Sequence, residues 1–168
     1  MRRPFPNNEF ADFANLVAVH DYLLSSQQIS DLLDFLPQVD KYRLLEEHVE
    51  LENYLVHNVL PHLGGAWSSS GIVSVNVGSR PVGFHLDSKI NDGETHKLLV
   101  YLTDTGGTQF FTPIDFAEPL EIETPRPWLE VQSISGRCVV FDMSLPHKGT
   151  EFEGIKKTVG LRLIKHKN

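Results

Sequence analysis

The chain has almost no cysteine, no long apolar run and fewer basic than acidic residues. Its one cysteine, Cys138, excludes an internal disulfide. That residue opens an apolar run, Cys138-Val139-Val140-Phe141, so a reduced, cytoplasmic setting is expected. No stretch approaches the roughly 18 apolar residues of a membrane helix. The arginines Arg2 and Arg3 are followed by Asn7, Asn8, Glu9 and Asp12, not by the apolar segment of a secretory leader. Fifteen Lys and Arg against 22 Asp and Glu leave a formal charge of −7. A field of that sign repels phosphate backbones, which disfavours nucleic acid as a partner.

What is present in quantity points to a β-rich domain. The 168 residues make one ordinary domain, and 40% hydrophobic with 22% charged residues is a globular composition. Twelve glycines and ten prolines supply many turns. The first third reads as helical. Ser25 or Ser26 caps a helix carrying Ile29, Leu32, Leu33 and Leu36, stopped by Pro37. Asp40 caps a second, with Leu44, Leu51, Leu55 and Val59 on one stripe, ended by Pro61 and Gly64-Gly65. His48 and His57 on this stretch share no face and read as structural or solvated.

From Gly71 the hydrophobic period becomes two. Short strands are expected at Ile72–Val77, Val82–Asp87, Lys97–Thr103, Gln109–Phe111, Leu129–Ile134, Arg137–Met143 and Lys156–Ile164. The fold class is therefore mainly β with N-terminal helices: one domain, with a helical part over 1–66 packed on a β core over 71–168. Segment 112–130 stands apart, with four prolines and five acids against one arginine. Such a loop can be a lid over a cavity mouth or an ornament on the outer sheet. As a lid, its acidity would favour neutral or cationic substrates over phosphates.

Three residues carry the chemistry. In Val82–Asp87, Gly83, His85 and Asp87 share one side of an alternating strand. His147 follows the strand 137–143 through Ser144-Leu145-Pro146, where it can reach a cavity mouth. His85, Asp87 and His147 have the composition of a two-His-one-carboxylate triad, which leaves coordination positions of Fe(II) open. In Lys156–Ile164, Lys156, Thr158, Gly160 and Arg162 share a polar face, while Lys157, Val159, Leu161 and Leu163 share the other.

Four blocks in order, FHLDS, KLLVYLTDTGGTQFF, ISGRCVVFD and LPHKGTEFEGIKKTVGLRL, resemble the catalytic core of the Fe(II)/2-oxoglutarate-dependent dioxygenases, most nearly the prolyl-4-hydroxylase-like branch. The resemblance implies a double-stranded β-helix, or jelly roll, that couples decarboxylation of 2-oxoglutarate by O2 to oxidation of a substrate. It makes His85, Asp87 and His147 the iron ligands and places a basic residue nine or ten positions after His147 on the far carboxylate of 2-oxoglutarate. Lys156 and Lys157 both qualify by count; alternation favours Lys156. Tyr101 and Thr158 would add hydroxyl donors, and Arg162 would assist with a carboxylate. The retained Asp87 argues against a halogenase, which gives up that carboxylate. Arg80, Trp67 and Trp128 are candidates to line a substrate groove. The branch implies a prolyl residue of a peptide, or a free amino acid or other small molecule, as substrate. Competing readings are a nucleobase-modifying dioxygenase, a cupin-like metal enzyme needing no 2-oxoglutarate, and a cation-dependent jelly-roll binding module.

Overall fold

The computed structural model describes residues 16–112 and 127–167. The elements run β1 (Val17–His20), α1 (Ser26–Asp34), β2 (Tyr42–Glu47), α2 (Val49–Asn58), a 3-10 turn (Leu60–His62), β3 (Trp67–Gly78), β4 (His96–Tyr101), β5 (Gly107–Phe110), β6 (Leu129–Gln132), β7 (Cys138–Asp142), β8 (His147–Gly149) and β9 (Lys156–Lys165). Six strands form one antiparallel sheet in the order β1-β7-β4-β9-β3-β2, and three form a second in the order β6-β5-β8.

The large sheet has two unlike faces, and alternation along its strands makes them so. One face presents Val73, Val75 and Val77 of β3, Leu98 and Val100 of β4, Val140 of β7, and Val159, Leu161 and Leu163 of β9. The helices cover this face with Leu32, Leu36, Leu51, Leu55 and Val59. Each such leucine taken fully out of water contributes about 1.5–3 kcal/mol. The opposite face looks toward the small sheet, where Tyr101, Val139 and Phe141 pack with Phe110, Val131 and Leu145.

Helix α1 begins as its sequence indicates. Ser25 Oγ accepts the Gln28 N–H at 3.1 Å, and Gln28 Oε1 accepts the Ser25 N–H at 2.8 Å, a reciprocal capping box. The helix expected from Asp40 does not form. Residues 42–47 are β2, and α2 starts at Val49, capped by His48, whose Nδ1 accepts the Leu51 N–H at 3.2 Å. Leu44 belongs to a period-two pattern, with Arg43 and Leu45 on the other face, and pairing with β3 from Tyr42↔Val77 to Glu47↔Ile72 overrides the helical spacing. The first third is thus less helical than its sequence suggests, since β1 and β2 sit at the two edges of the large sheet.

Segment 82–87 also departs from expectation, forming no continuous strand. It lies along β8 and bonds to it at two places, Gly149 N–H to Val82 O at 2.8 Å and a reciprocal pair between His85 and His147, each 3.0 Å. Pro81, which lacks an N–H, precedes the first of these contacts. Segment 113–126, the greater part of the 112–130 loop, lies outside the described residues.

Gly160 occupies the inward face of β9 with no room for a side chain. A Cβ there would collide with Ser74 Oγ, approach the Leu98 carbonyl oxygen to 2.8 Å and touch Lys97 Cε at 3.5 Å. We expect Gly160→Ala to lower folding stability by about 1–3 kcal/mol, read as a lower urea midpoint with an unchanged slope.

Candidate metal centre

Between the sheets, at the end that the aromatic core leaves open, lies a cleft of about 830 Å³. It is lined by His85, Asp87, His147, Lys156, Thr158 and Arg162, among others. These are residues of the first sequence blocks and the last, brought together from a loop, β8 and β9.

The double hydrogen bond between His85 and His147 makes them directly opposed residues of an antiparallel bridge, and their rings lie 4.3 Å apart. His85 Nδ1 is 2.7 Å from the Gly83 carbonyl oxygen, and His147 Nδ1 is 3.0 Å from that of Leu145. A carbonyl can only accept, so each Nδ1 carries the proton and each Nε2 presents a lone pair. Both Nε2 atoms turn to Asp87: His85 Nε2 is 3.5 Å from Oδ1, and His147 Nε2 is 3.6 Å from Oδ2. One donor atom from each residue falls within 4.8 Å of the others, the geometry of a site for a metal ion. Among the described residues no other such group occurs.

The carboxylate also meets two cations. Arg162 Nη2 lies 3.5 Å from Oδ1 and Lys97 Nζ 3.7 Å from Oδ2. Arg162 is held in turn by Nη1, which donates to the Ser88 carbonyl at 3.2 Å and approaches Met143 Sδ at 3.4 Å. Lys97 and Arg162 are register partners on β4 and β9. Burial pushes the Asp87 carboxyl upward, but His85, Lys97, His147 and Arg162 together hold it well below the ordinary carboxylate range. Burial likewise lowers Lys97. His147 is brought down to about 4, chiefly by burial and against the pull of Asp87, so it is a neutral base at physiological pH.

Asp87 Oδ2 is buried yet accepts no hydrogen bond. An orphaned carboxylate oxygen beside two imidazole lone pairs is a donor set for a divalent ion of Fe(II) or Zn(II) type. The residues present fit the metal.

At a second place in the cleft, Lys156 is buried, 9% exposed, and donates to the Gly107 carbonyl at 2.9 Å. Its ammonium lies 5.3 Å from the Tyr101 ring centroid and 6.0 Å from that of Phe152. Burial lowers it to about 8. One acceptor for three donors leaves it able to bind an anion. Lys157, by contrast, is not on the cleft wall; it pairs with Val77 from the outer face of β9.

Two expectations need correction. Tyr101 is fully buried and not on the cleft wall, and its hydroxyl pairs with Thr108 Oγ1 at 2.6 Å; Thr108 and Thr158, with Ser74 and Ser88, bring hydroxyl-bearing side chains to that wall. Trp67 and Trp128 do not line the cleft, whereas Arg80 does. Trp67 instead donates to the Gly64 carbonyl at 2.6 Å and packs on His96, and Trp128 belongs to the core between the sheets. Lys97 escaped the sequence reading. The signal was available, because Lys97 shares the inward face of β4 with Leu99 and Tyr101, where a charge is out of place unless paired.

No protein-family model matches the chain, and no curated protein matches it. Solved structures do. Viral collagen prolyl hydroxylase from Paramecium bursaria Chlorella virus-1, in complex with 2-oxoglutarate, is similar at 13% identity and TM-score 0.61 over 90% of this chain and 97% of that one. HygX from Streptomyces hygroscopicus with iron bound is similar at 13% identity and TM-score 0.62 over 97% and 88%. A Trichoplax adhaerens prolyl hydroxylase in complex with a hypoxia-inducible factor peptide is similar at 14% identity and TM-score 0.60 over 95% and 90%. At such identities the likeness establishes the fold: a double-stranded β-helix, as the sequence blocks imply.

The depressed imidazole gives a pH dependence with a definite sign. Between pH 6.5 and 4 the unfolded chain takes up a proton that folded His147 refuses, so stability of the metal-free protein falls as the pH drops through that window. The expected loss is up to about 3 kcal/mol. The Asp87 contribution, from a depressed carboxyl, is lost only below about pH 4. Urea unfolding at pH 7 and pH 4.5 should show the loss in the native chain and a smaller one in His147→Gln.

Proposed function

We propose that the protein is an Fe(II)- and 2-oxoglutarate-dependent dioxygenase that hydroxylates a C–H bond. The observation that carries this is the convergence of two fixed Nε2 lone pairs on the carboxylate of Asp87, whose Oδ2 is orphaned, in one cleft with a buried lysine that has free donors. The balance of the reaction is substrate, O2 and 2-oxoglutarate giving hydroxylated substrate, succinate and CO2.

The chain's own residues have distinct duties in this reading. His85, Asp87 and His147 hold the metal on one side and leave its other positions open. Bound Fe(II) supplies the O2 chemistry needed to attack an unactivated C–H bond. Gly83 and Leu145, through their carbonyls, keep the imidazoles in the ligating tautomer. Lys156 binds the distal carboxylate of 2-oxoglutarate as a point charge, with Thr158, two residues along the same face, as a hydroxyl donor. Tyr101 acts beneath them by presenting its ring to Lys156 and holding Thr108. Arg162 and Lys97 keep Asp87 ionised, hence ligating, without a proton to displace.

The prolyl hydroxylases among the similar folds, one of them holding a peptide, support a prolyl residue or an amino acid as substrate. A cupin-type site is less well supported, because those sites use three histidines and a glutamate. A calcium module fits poorly too, since two imidazoles are soft partners for a hard ion.

Two measurements test the reading. Calorimetry should give one Zn(II) or Mn(II) per chain, with binding lost in Asp87→Ala, while Fe(II)-loaded protein should release succinate from 2-oxoglutarate. Absence of both would sink the proposal. Lys156→Ala should raise the 2-oxoglutarate KM about 10- to 100-fold through loss of a charge-assisted contact worth roughly 1.5–3 kcal/mol, and Lys157→Ala should leave it unchanged. Affinity for 2-oxoglutarate should also weaken as the pH rises past about 8, where free Lys156 loses its charge; a larger effect of Lys157→Ala than of Lys156→Ala would show the wrong face of β9 to have been chosen.

A further inference from the structure

The charged residues of the cleft are strongly unbalanced. Among the described residues, Arg43, Arg80, Lys97, Lys156 and Arg162 line it, against the single carboxylate of Asp87. This stands inside a chain whose net charge is −7. Lys97 and Arg162 are committed to Asp87, and Lys156 is the cation for 2-oxoglutarate. Loading the site does not relieve the excess, because a divalent cation and a dicarboxylate cancel one another. Arg43 and Arg80 are left over: among the described residues neither has an ion pair or a side-chain hydrogen bond.

Their placement is specific. Arg43 lies on edge strand β2 opposite Asn76, which is opposite Thr158, which is opposite Tyr101, so these residues form one row across the inward face of the sheet. Two strand spacings put Arg43 about 10 Å from Thr158. Arg80 follows β3 by two residues, and Gly78 at the strand's end is opposite Lys156. The cleft also carries exposed apolar side chains. Leu45, Leu86 and Ile90 line the cleft and remain 50%, 37% and 47% exposed.

We infer that Arg43 and Arg80 form an oxyanion subsite at the outer end of the cleft, and that the substrate is an amphipathic anion. Its carboxylate or phosphate group pairs with these guanidiniums, and its apolar body crosses Leu45, Leu86 and Ile90 toward the metal. A guanidinium fork matches either group in a bidentate way. This deepens the oxygenase reading in naming the substrate class. Of the two substrates proposed above, it favours the molecule with a free carboxylate over a neutral prolyl peptide. It also runs against the preference for neutral or cationic substrates that the acids of segment 112–130 suggest from sequence alone.

Four probes of one shape test it: 3-phenylpropanoate, 3-phenylpropyl phosphate, 3-phenylpropanamide and 3-phenylpropylammonium. Each is titrated by calorimetry into the full chain saturated with Zn(II) and 2-oxoglutarate. At least one of the two anions should bind about tenfold or more tightly than the amide and the ammonium. That preference should shrink as salt rises from about 50 to about 500 mM, and it should vanish in R43Q/R80Q while Zn(II) affinity is unchanged. Whichever anion binds more tightly identifies the group. A lack of preference in the native chain, or a preference that survives in R43Q/R80Q, would overturn the subsite. If the chain takes up neither Zn(II) nor 2-oxoglutarate but the arginine-dependent preference stands, the oxygenase reading falls and the anion subsite remains.

Discussion

The site depends on one constraint, the unlike faces of the six-stranded sheet. Along β9, Val159, Leu161 and Leu163 must meet the helices, so Lys156, Thr158, Gly160 and Arg162 must face the other way. A slip of one residue would send a lysine, a threonine and an arginine into the leucines of α1 and α2. The hydrophobic term that seats the helices therefore also fixes the register of the polar groups, and hence the spacing of Lys156 from Arg162. Gly160 between them leaves a gap over which the Lys97 side chain crosses toward Asp87.

Burying Asp87 with Lys97 and Arg162 has a cost of its own. Desolvating three charges offsets most of what their attraction gains, so such clusters are poor sources of stability. Their value lies in the state they enforce. With two cations within 4 Å, Asp87 remains ionised, while the neighbouring imidazole stays neutral through burial. A metal-ligating set needs those two protonation states together, and it finds them already present before an ion arrives. The orphaned Oδ2 is the residue of this arrangement that protein atoms do not satisfy.

Much of this was legible in the chain because it rests on short-range alternation. The polar face of β9, the choice of Lys156 over Lys157 as the cleft-facing lysine, and the Ser25 cap all follow from period and local chemistry. What was not legible depends on partners distant in sequence. Residues 42–47 pair with the strand 72–77, and that pairing overrides a helical spacing that Leu51, Leu55 and Val59 continue. Segment 82–87 alternates like a strand, but a bridge at His85 is the extent of its ladder, since its neighbour β8 is only three residues long. Tyr101 faces inward as its alternation requires, yet β5 passes over it and Thr108 takes its hydroxyl. Lys97 was visible as a charge on an inward position, but its meaning required Asp87 and Arg162 beside it.

The distribution of charge shows why net charge was a weak guide to what enters. The acidic excess of −7 belongs to the whole chain, whereas a ligand in a low-dielectric cleft responds to the groups within about one Debye length, roughly 8–10 Å. There, among the described residues, the cations dominate. A negative exterior around a positive cleft lowers the encounter rate of polyanions, which must approach over a broad surface. A small anion that fits between the walls meets the local field instead. Both signs therefore act on the same discrimination. Under the proposed subsite, the same charge distribution that disfavours extended polyanions admits a small anion to the cleft.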